Sequence, residues 1–355
     1  MRAGRSGARR VHTLFVVAGL CLLAVGTAAC AGPKHAAVKA PPTTPVPTTT
    51  TTAPPPPVYP LTGLPVTDPA SAGRPALNVK IDNAPQARPQ SGLDKADVVY
   101  EEVVEGGITR YLAVFQSHDA APLGPIRSVR MTDADVVHPI GGLFAYSGGI
   151  PAFINDVRAA GVIDVGANAD PSAYTRSNSR QSPHNLYSST SVLRQATPAG
   201  LGPPKPVFAY RQVAAPFGGT GVAPISHFQV SMSPSVTSEW DWDPATARWL
   251  RSINGAPQVA TDGVRIAFAN VIIEMVPYHN TGFVDPAGNP VPDASVVGNG
   301  PAVVLSGGSM LSGSWSKASP AAVTTFADSA GTPVLLTPGT TWIELAPSGS
   351  PTASH

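Results

Sequence analysis

Residues 41–57 consist only of proline, threonine, valine and alanine, and this run constrains the fold more than any other feature of the chain. Such a composition cannot form a core, and its prolines favour the extended polyproline II conformation. At roughly 3.1 Å per residue the run spans about 50 Å. We therefore assign 31–59 to a Pro/Thr-rich linker, whose threonines are either glycosylated or unmodified. A globular fold has to come from the residues that follow.

The first 30 residues have the order of a secretory signal. Arginines without any acid precede a short apolar run, 14–25, and three small residues then lead to Cys30. A helix that spans a bilayer needs about 20 mostly apolar residues, which this run does not reach. Small residues directly before a cysteine are similar to the lipobox of bacterial lipoproteins, in which that cysteine is acylated. We predict a lipoprotein signal peptide over 1–30 and lipidation at Cys30; the alternative is an uncleaved anchor helix.

The cysteines and the charge limit the chemistry of the mature chain. Cys21 lies inside the apolar run and would be removed with it, so no thiol remains for a disulfide, a thiolate metal site or a cysteine nucleophile. The net charge is +1, and no basic block follows residue 10. The sequence therefore predicts no nucleic-acid partner, and it predicts a membrane partner only through the lipid anchor, on the extracytoplasmic face.

Strand and helix patterns alternate between residues 60 and 200. Residues 76–82, 98–105 and 108–115 have the apolar alternation of strands, and Gly106-Gly107 is typical of a two-residue hairpin turn. Residues 151–160 favour a helix, because proline stands in its first turn and Gly161 follows its end. We predict an α/β (α+β) N-terminal domain over 60–200.

After a Gly/Pro-rich break, strand signals dominate. The run 264–276 is β-branched and apolar, and short apolar runs separated by glycine turns follow it. We predict a mostly β C-terminal domain over 207–346, followed by a flexible tail over 347–355.

Charged residues concentrate in the N-terminal half. With Gly106-Gly107 as the turn, Val103 would lie opposite Arg110, so that Arg110 shares a sheet face with Glu101 and Glu105. A half-buried face of this kind requires paired charges. It is either a set of structural ion pairs or part of a binding site.

Two loops add candidate site residues. Arg127 and Arg130 stand three residues apart before a predicted helix start, where they would either bind a phosphate or carboxylate or tie loop carbonyls together. His184 lies in a turn, where it is either a positioned site histidine or a solvated one. Asp82 ends a predicted strand, and ligands collect at strand ends in α/β sheets.

Several enzyme signatures are absent from the sequence. It contains no phosphate-loop Gly-Lys pair, no His-Glu-x-x-His zinc motif and no Gly-x-Ser-x-Gly elbow. Residues 314–317 match Ser-x-x-Lys, but no Lys-Thr-Gly follows them. The sequence predicts no cofactor and no metal site.

The order of motifs resembles the YerB-like family of bacterial lipoproteins, whose function is uncharacterised. The matching motifs are 78–83, 87–93, 96–101, 105–110, 124–130, 183–187, 251–255, 270–273, 313–317 and 338–343. The resemblance covers about 60–346 and implies a lipoprotein with two domains. Within these motifs it favours as ligand-binding candidates Asp82, Arg88, Glu101, Arg110, Arg127, Arg130 and His184.

Two functions are consistent with these features. The first is an envelope lipoprotein without enzymatic activity that binds an anionic or glycan ligand, such as a phosphate polymer, or a protein partner. The second is an enzyme that acts on envelope polymers. Asp97, followed by Arg127, Arg130 and Asp133, is loosely similar to the LytR-CpsA-Psr phosphotransferases, which grip a lipid-linked pyrophosphate.

Overall fold

The computed structural model describes residues 56–355. The predicted signal peptide, the Cys30 lipidation site and the linker up to residue 55 lie outside the described residues. Within the described range, no helix combines the length and the apolar character needed to cross a membrane.

The N-terminal half mixes short helices with strands, as predicted. Proline occupies the first turn of the helix at 151–159, and Gly161, just beyond its end, has the left-handed φ of 81° that terminates helices. The elements are α1 (Pro69–Gly73), β1 (Leu77–Asp82), β2 (Val98–Val103), β3 (Thr109–Phe115), α2 (Thr132–Val137), β4 (Leu143–Ala145), α3 (Pro151–Ala159), β5 (Ile163–Asp164), β6 (Thr175–Arg176), β7 (Leu186–Tyr187) and α4 (Thr190–Leu193).

The C-terminal half is mostly β-sheet, which confirms the second part of the fold prediction. Its strands are β8 (Ala223–Pro224), β9 (His227–Ser233), β10 (Val236–Asp243), β11 (Arg248–Ile253), β12 (Ala256–Pro257), β13 (Ala267–Phe268), β14 (Asn270–Val276), β15 (Tyr278–Val284), β16 (Pro290–Ala294), β17 (Gly298–Ser306), β18 (Ser309–Lys317), β19 (Thr325–Asp328), β20 (Thr341–Pro347) and β21 (Thr352–Ser354).

Strands from both halves form one large sheet. Among the described residues it has 11 strands in the order β19-β18-β17-β14-β20-β2-β3-β1-β4-β5, with β8 paired to β18. The two halves meet where β20 pairs in parallel with β2, from Val98 opposite Thr341 to Glu101 opposite Glu344. The division into domains at 200–207 stays a prediction, because both sequence halves contribute to this sheet.

The large sheet packs on both faces. One face covers a six-stranded sheet ordered β12-β11-β10-β9-β21, with β13 paired to β11, and apolar side chains such as Val79, Val99 and Trp240 fill the space between the sheets. The other face packs against α2 and α3 through side chains such as Leu112 and Val157. Each charged residue of β1–β3 therefore points either toward the six-stranded sheet or toward the helices.

The β2–β3 connection differs from the predicted two-residue turn. Residues 105–107 form a three-residue turn that Val104 closes by donating to the Ile108 carbonyl oxygen, 2.8 Å away. The longer turn shifts the pairing by one residue, so that Glu102, not Val103, lies opposite Arg110. The predicted sharing of one sheet face by Arg110 and Glu101 is therefore wrong: because side chains alternate, Glu101 points to the opposite face.

Candidate functional site

Several candidate residues meet at one end of β1. Asp82 is the last residue of β1, and Arg110 lies directly opposite it in β3. β4 pairs with the first half of β1, and the segment 124–131 runs alongside the second half. The amide of Arg127 donates to the Lys80 carbonyl oxygen and the amide of Asp82 donates to the Pro125 carbonyl oxygen, both at 2.9 Å. This pairing delivers the side chains of the segment to the end of the sheet.

A glycine allows the histidine loop to approach. Gly124 has a φ of 144°, and a Cβ there would lie 2.8 Å from the Leu186 carbonyl oxygen. The close approach holds the 182–187 loop against the segment. His184 Nδ1 lies 2.7 Å from Asp82 Oδ2, and Arg127 Nε lies 3.1 Å from the same oxygen. About one fifth of the side-chain surface of His184 and of Arg127 remains exposed, so both groups are in contact with solvent.

Glu105, from the β2–β3 turn, binds the other two arginines. Its carboxylate accepts from Arg130 Nη2 at 2.6 Å, and Arg130 Nε lies 2.6 Å from its second oxygen. Arg110 Nη2 is 3.7 Å from Glu105 and its Nη1 donates to the Ser128 carbonyl oxygen at 3.4 Å. These are long contacts for a guanidinium that is almost completely buried.

We call Arg110, Arg127 and Arg130, with Asp82 and Glu105, the arginine cluster. Three guanidinium groups share two carboxylates there. Burial, followed by repulsion from Arg130 and Arg127, lowers the pKa of Arg110 to about 9. Arg110 Nε is buried without a hydrogen-bond partner among the described residues. The cluster is therefore short of hydrogen-bond acceptors and of negative charge.

A neighbouring ion-pair group combines one ammonium with two carboxylates. Lys80 is fully buried, contacts Glu102 and binds Asp133 Oδ1 at 2.6 Å. Burial and then the adjacent Glu102 raise the pKa of Asp133 to about 6, which the Lys80 ammonium opposes. The second oxygen of Asp133 accepts from the amide of Arg130 at 2.7 Å. This group fixes the backbone of the segment that carries Arg130.

The structure brings together five of the seven predicted residues: Asp82, Arg110, Arg127, Arg130 and His184. Glu101 lies on the opposite face of the sheet, where it contacts Arg251. Arg88 donates to the side-chain oxygen of Asn83 at 2.9 Å and to the carbonyl oxygen of Asn83 at 3.0 Å. Arg88 also lines a separate cavity. Neither of these two residues contacts the cluster.

Sequence reasoning misplaced or missed three residues that shape the site. Glu105 was placed on a strand face, whereas it acts from the turn. Asp133 was named only for its similarity to a phosphotransferase motif, and Lys80 was not singled out. A lysine that alternates with apolar residues in a buried strand is itself a signal, because a buried ammonium requires carboxylate partners. The partners of Lys80 are Glu102 in β2 and Asp133 in α2.

Asp97, which suggested a phosphotransferase, is far from the arginine cluster. Its carboxylate accepts from the amide of Ser117 at 2.8 Å, just beyond the end of β3. Arg110 lies near the beginning of the same strand, so about 20 Å separates the two positions at roughly 3.3 Å per residue. Among residues 56–355, no group of three His, Cys, Asp or Glu side chains is arranged to hold a metal ion.

Comparisons with known proteins agree with the motif resemblance. A family model described as "Protein of unknown function (DUF3048) N-terminal domain" matches residues 61–201, and the model of the corresponding C-terminal domain matches 228–343. The Bacillus subtilis (strain 168) protein named "Putative lipoprotein YerB" is 28% identical over 301 residues, covering 81% of this chain and 86% of that protein. The crystal structure of the YerB protein from Bacillus subtilis has a TM-score of 0.70 and 25% identity, covering 83% of this chain and 99% of that chain. The predicted resemblance is confirmed: the chain is a homologue of YerB with the N-terminal and C-terminal domains of the DUF3048 family.

Proposed function

We propose that the protein is a lipoprotein of the extracytoplasmic membrane face whose arginine cluster binds an anionic group of the cell envelope. The observation that carries the proposal is Arg110, a buried arginine beside two others, whose contacts to the Ser128 carbonyl oxygen and to Glu105 are as long as 3.4 and 3.7 Å. A buried cation without sufficient acceptors is costly, and a bound anion would supply them. Arg127 and His184 are the groups at which the anion would enter.

The ligand chemistry is a phosphate or carboxylate oxyanion. Guanidinium groups bind both bidentately, and both occur on envelope polymers, as phosphodiesters or as peptide and sugar carboxylates. Titration calorimetry of the full-length protein with poly(glycerol phosphate) and with peptidoglycan fragments distinguishes the two sources. Inorganic phosphate and acetate serve as the minimal ligands of each class.

Arg127→Ala tests the site. We expect it to weaken anion binding at least tenfold, because it removes the most accessible guanidinium. Arg158→Ala is the matched control, since Arg158 is an exposed arginine paired with Asp164 outside the cluster. Equal affinities of Arg127→Ala and the unmodified protein, or no binding of any of the four ligands, would refute the proposal.

The proposed anchor is tested separately. Intact mass measurement of protein from the membrane fraction should show an acylated N-terminal Cys30, and Cys30→Ser should abolish both the acylation and the removal of the first 29 residues. Unmodified membrane protein that retains its first 29 residues and carries no lipid would instead indicate the anchor-helix alternative.

A further inference from the structure

A second polar region lies on the helix-facing side of the large sheet, and no residue of the arginine cluster lines it. A cleft of about 400 Å³ opens between α2, α3 and β16, and we call it the acidic cleft. It is lined by Asp135, Asp156 and Asp293, together with His138 and several small apolar residues. A cleft of this volume is in the range of small-molecule sites.

A narrow inner cavity adjoins this cleft, and Asp135 lines both. Its interior of about 20 Å³ has room for a single water molecule. Apart from Asp135, its polar lining includes Tyr100, Glu274 and Lys317, and the rest is mostly apolar, including Val207 and Phe208.

Glu274 is the unusual residue of the inner cavity. It projects from β14 and is only 2% exposed, and its Oε1 has no hydrogen-bond partner among the described residues. Buried carboxyl oxygens are nearly always hydrogen-bonded, so this one indicates a missing partner. Lys317 does not supply it: its ammonium donates to the Ala322 carbonyl oxygen and forms no hydrogen bond with Glu274 Oε1.

The charges of the region favour a cation. Burial is the largest cause that raises the pKa of Glu274, to about 8, and of Asp293, to about 6; it also raises the pKa of Asp135. Three basic groups face these carboxyls: Lys317, His138 and His279. Burial lowers the pKa of Lys317, and His279 Nε2 is 3.5 Å from Asp293. Each carboxyl is thus in surroundings that disfavour its charged form, and a bound cation would reverse this.

We propose that this region binds a primary ammonium group carried on a slender chain. The ammonium would occupy the water-sized space of the inner cavity and donate to Glu274 Oε1, and the chain would extend along the acidic cleft past Asp135. An ammonium group matches the cavity because it is about the size of water. A quaternary ammonium would be too wide, and an alcohol of the same length would lack the charge.

Titration calorimetry of the full-length protein at pH 7 tests this with three probes: n-butylamine, butan-1-ol and tetramethylammonium. We expect butylamine to bind at least tenfold more tightly than the other two. Glu274→Gln, which keeps the side-chain shape, should weaken butylamine binding about tenfold, and Asp135→Asn should weaken it severalfold. Asp170→Asn, at a partly exposed acid that lines neither cavity, should leave it unchanged.

Proton release gives a second readout. Glu274 is mostly neutral at pH 7 and should ionise when the ammonium binds, so the apparent binding enthalpy should vary with the ionisation enthalpy of amine-free buffers. The dependence should disappear in Glu274→Gln, whose folding is checked by thermal unfolding. Equal binding of tetramethylammonium, an unchanged affinity in Glu274→Gln, or no butylamine binding would each overturn the proposal. None of these results involves the arginine cluster.

Discussion

Arg251 and Arg110 are both buried, yet their pKa values shift in opposite directions. Arg251 reaches the large sheet from β11, on the face that covers the second sheet, whereas Arg110 projects from β3 on the other face. Partners raise the pKa of Arg251 despite its burial, chiefly Glu101, whereas burial and neighbouring arginines lower the pKa of Arg110 to about 9. The number of acceptors, not the degree of burial, separates the two.

The terminal nitrogens of Arg251 have closer acceptors than those of Arg110, although the Nε of each arginine is buried without a partner among the described residues. Its Nη2 contacts Glu101 and donates to Ser238 Oγ at 2.7 Å, and its Nη1 donates to Gln258 Oε1 at 2.6 Å. Three aromatic rings surround the guanidinium, with centroids 4.6–5.7 Å away: Tyr111, Trp240 and Trp342. A closed arrangement of this kind stabilises the contact between the sheets, whereas an open one is available to a ligand.

The largest expected effect concerns Arg251. Arg251→Met should lower the free energy of unfolding by about 3–5 kcal/mol, because it leaves Glu101 buried without its cation. Chemical denaturation measures the loss. The triple variant Arg251→Met, Glu101→Leu, Glu344→Leu should recover most of it, since all three charged groups of this buried ion-pair group are then replaced by apolar side chains. A loss below about 1 kcal/mol for the single variant would contradict the distinction between the two arginines.

Glu274 extends the comparison to a buried carboxyl that forms no ion pair among the described residues. Its pKa in the folded protein is about 8, above its ordinary value of 4.5, so the folded state holds a proton that the unfolded state releases. The resulting stability is present below pH 4.5 and is lost as the pH rises to about 8. Between pH 5 and 7 the loss should be about 2–3 kcal/mol.

Glu274→Gln isolates this contribution. Unfolding curves of the variant should fall less steeply from pH 5 to 7 than those of the unmodified protein, because glutamine does not titrate. Other groups with raised pKa values, such as Glu344 and Asp293, affect both proteins equally. Parallel pH profiles would show that Glu274 is ionised in the folded state.

Local patterns predicted the elements of the fold but not their long-range pairing. The alternation in 76–82 and the Pro151 and Gly161 signals correspond to β1 and α3. No local pattern indicates that β20 inserts between β14 and β2, since a parallel pairing joins strands far apart in the sequence. One additional residue in a turn was also enough to assign Glu101 to the wrong face.

The candidate site was predictable where motifs lie close in sequence. Asp82, Arg110, Arg127 and Arg130 fall within 49 positions, and their segments pair directly or lie side by side. The contact between Arg251 and Glu101 joins residues 150 positions apart, and no local signal links them. Isolated charges in apolar strands mark such contacts, but only the tertiary structure shows which residues pair.

Arg110→Met tests whether Arg110 serves ligand binding and not stability. Because burial and repulsion disfavour the charged guanidinium, the variant should unfold with a free energy within about 1 kcal/mol of that of the unmodified protein. Its affinity for the anion should nevertheless fall about tenfold, or about 1.4 kcal/mol. Denaturation and calorimetry on the same preparation separate the two quantities. A stability loss as large as that of Arg251→Met would make Arg110 a structural residue.

The smallest effect is expected at the surface pair Arg74–Asp119, whose Nη1–Oδ2 distance is 2.9 Å. Asp119→Asn removes the charge, while the amide oxygen of asparagine still accepts from Thr190 Oγ1, at 2.8 Å in the present structure. Water screens this pair, so the free energy of unfolding should change by only about 0.5 kcal/mol, measured by denaturation at pH 7. This distance is shorter than the 3.7 Å from Arg110 to Glu105, so geometry alone would rank the surface pair higher. A loss of several kcal/mol in Asp119→Asn would mean that short ion pairs stabilise this protein regardless of their exposure. The contrast between Arg251 and Arg110 would then have to be explained by ion-pair distance instead of by the number of acceptors.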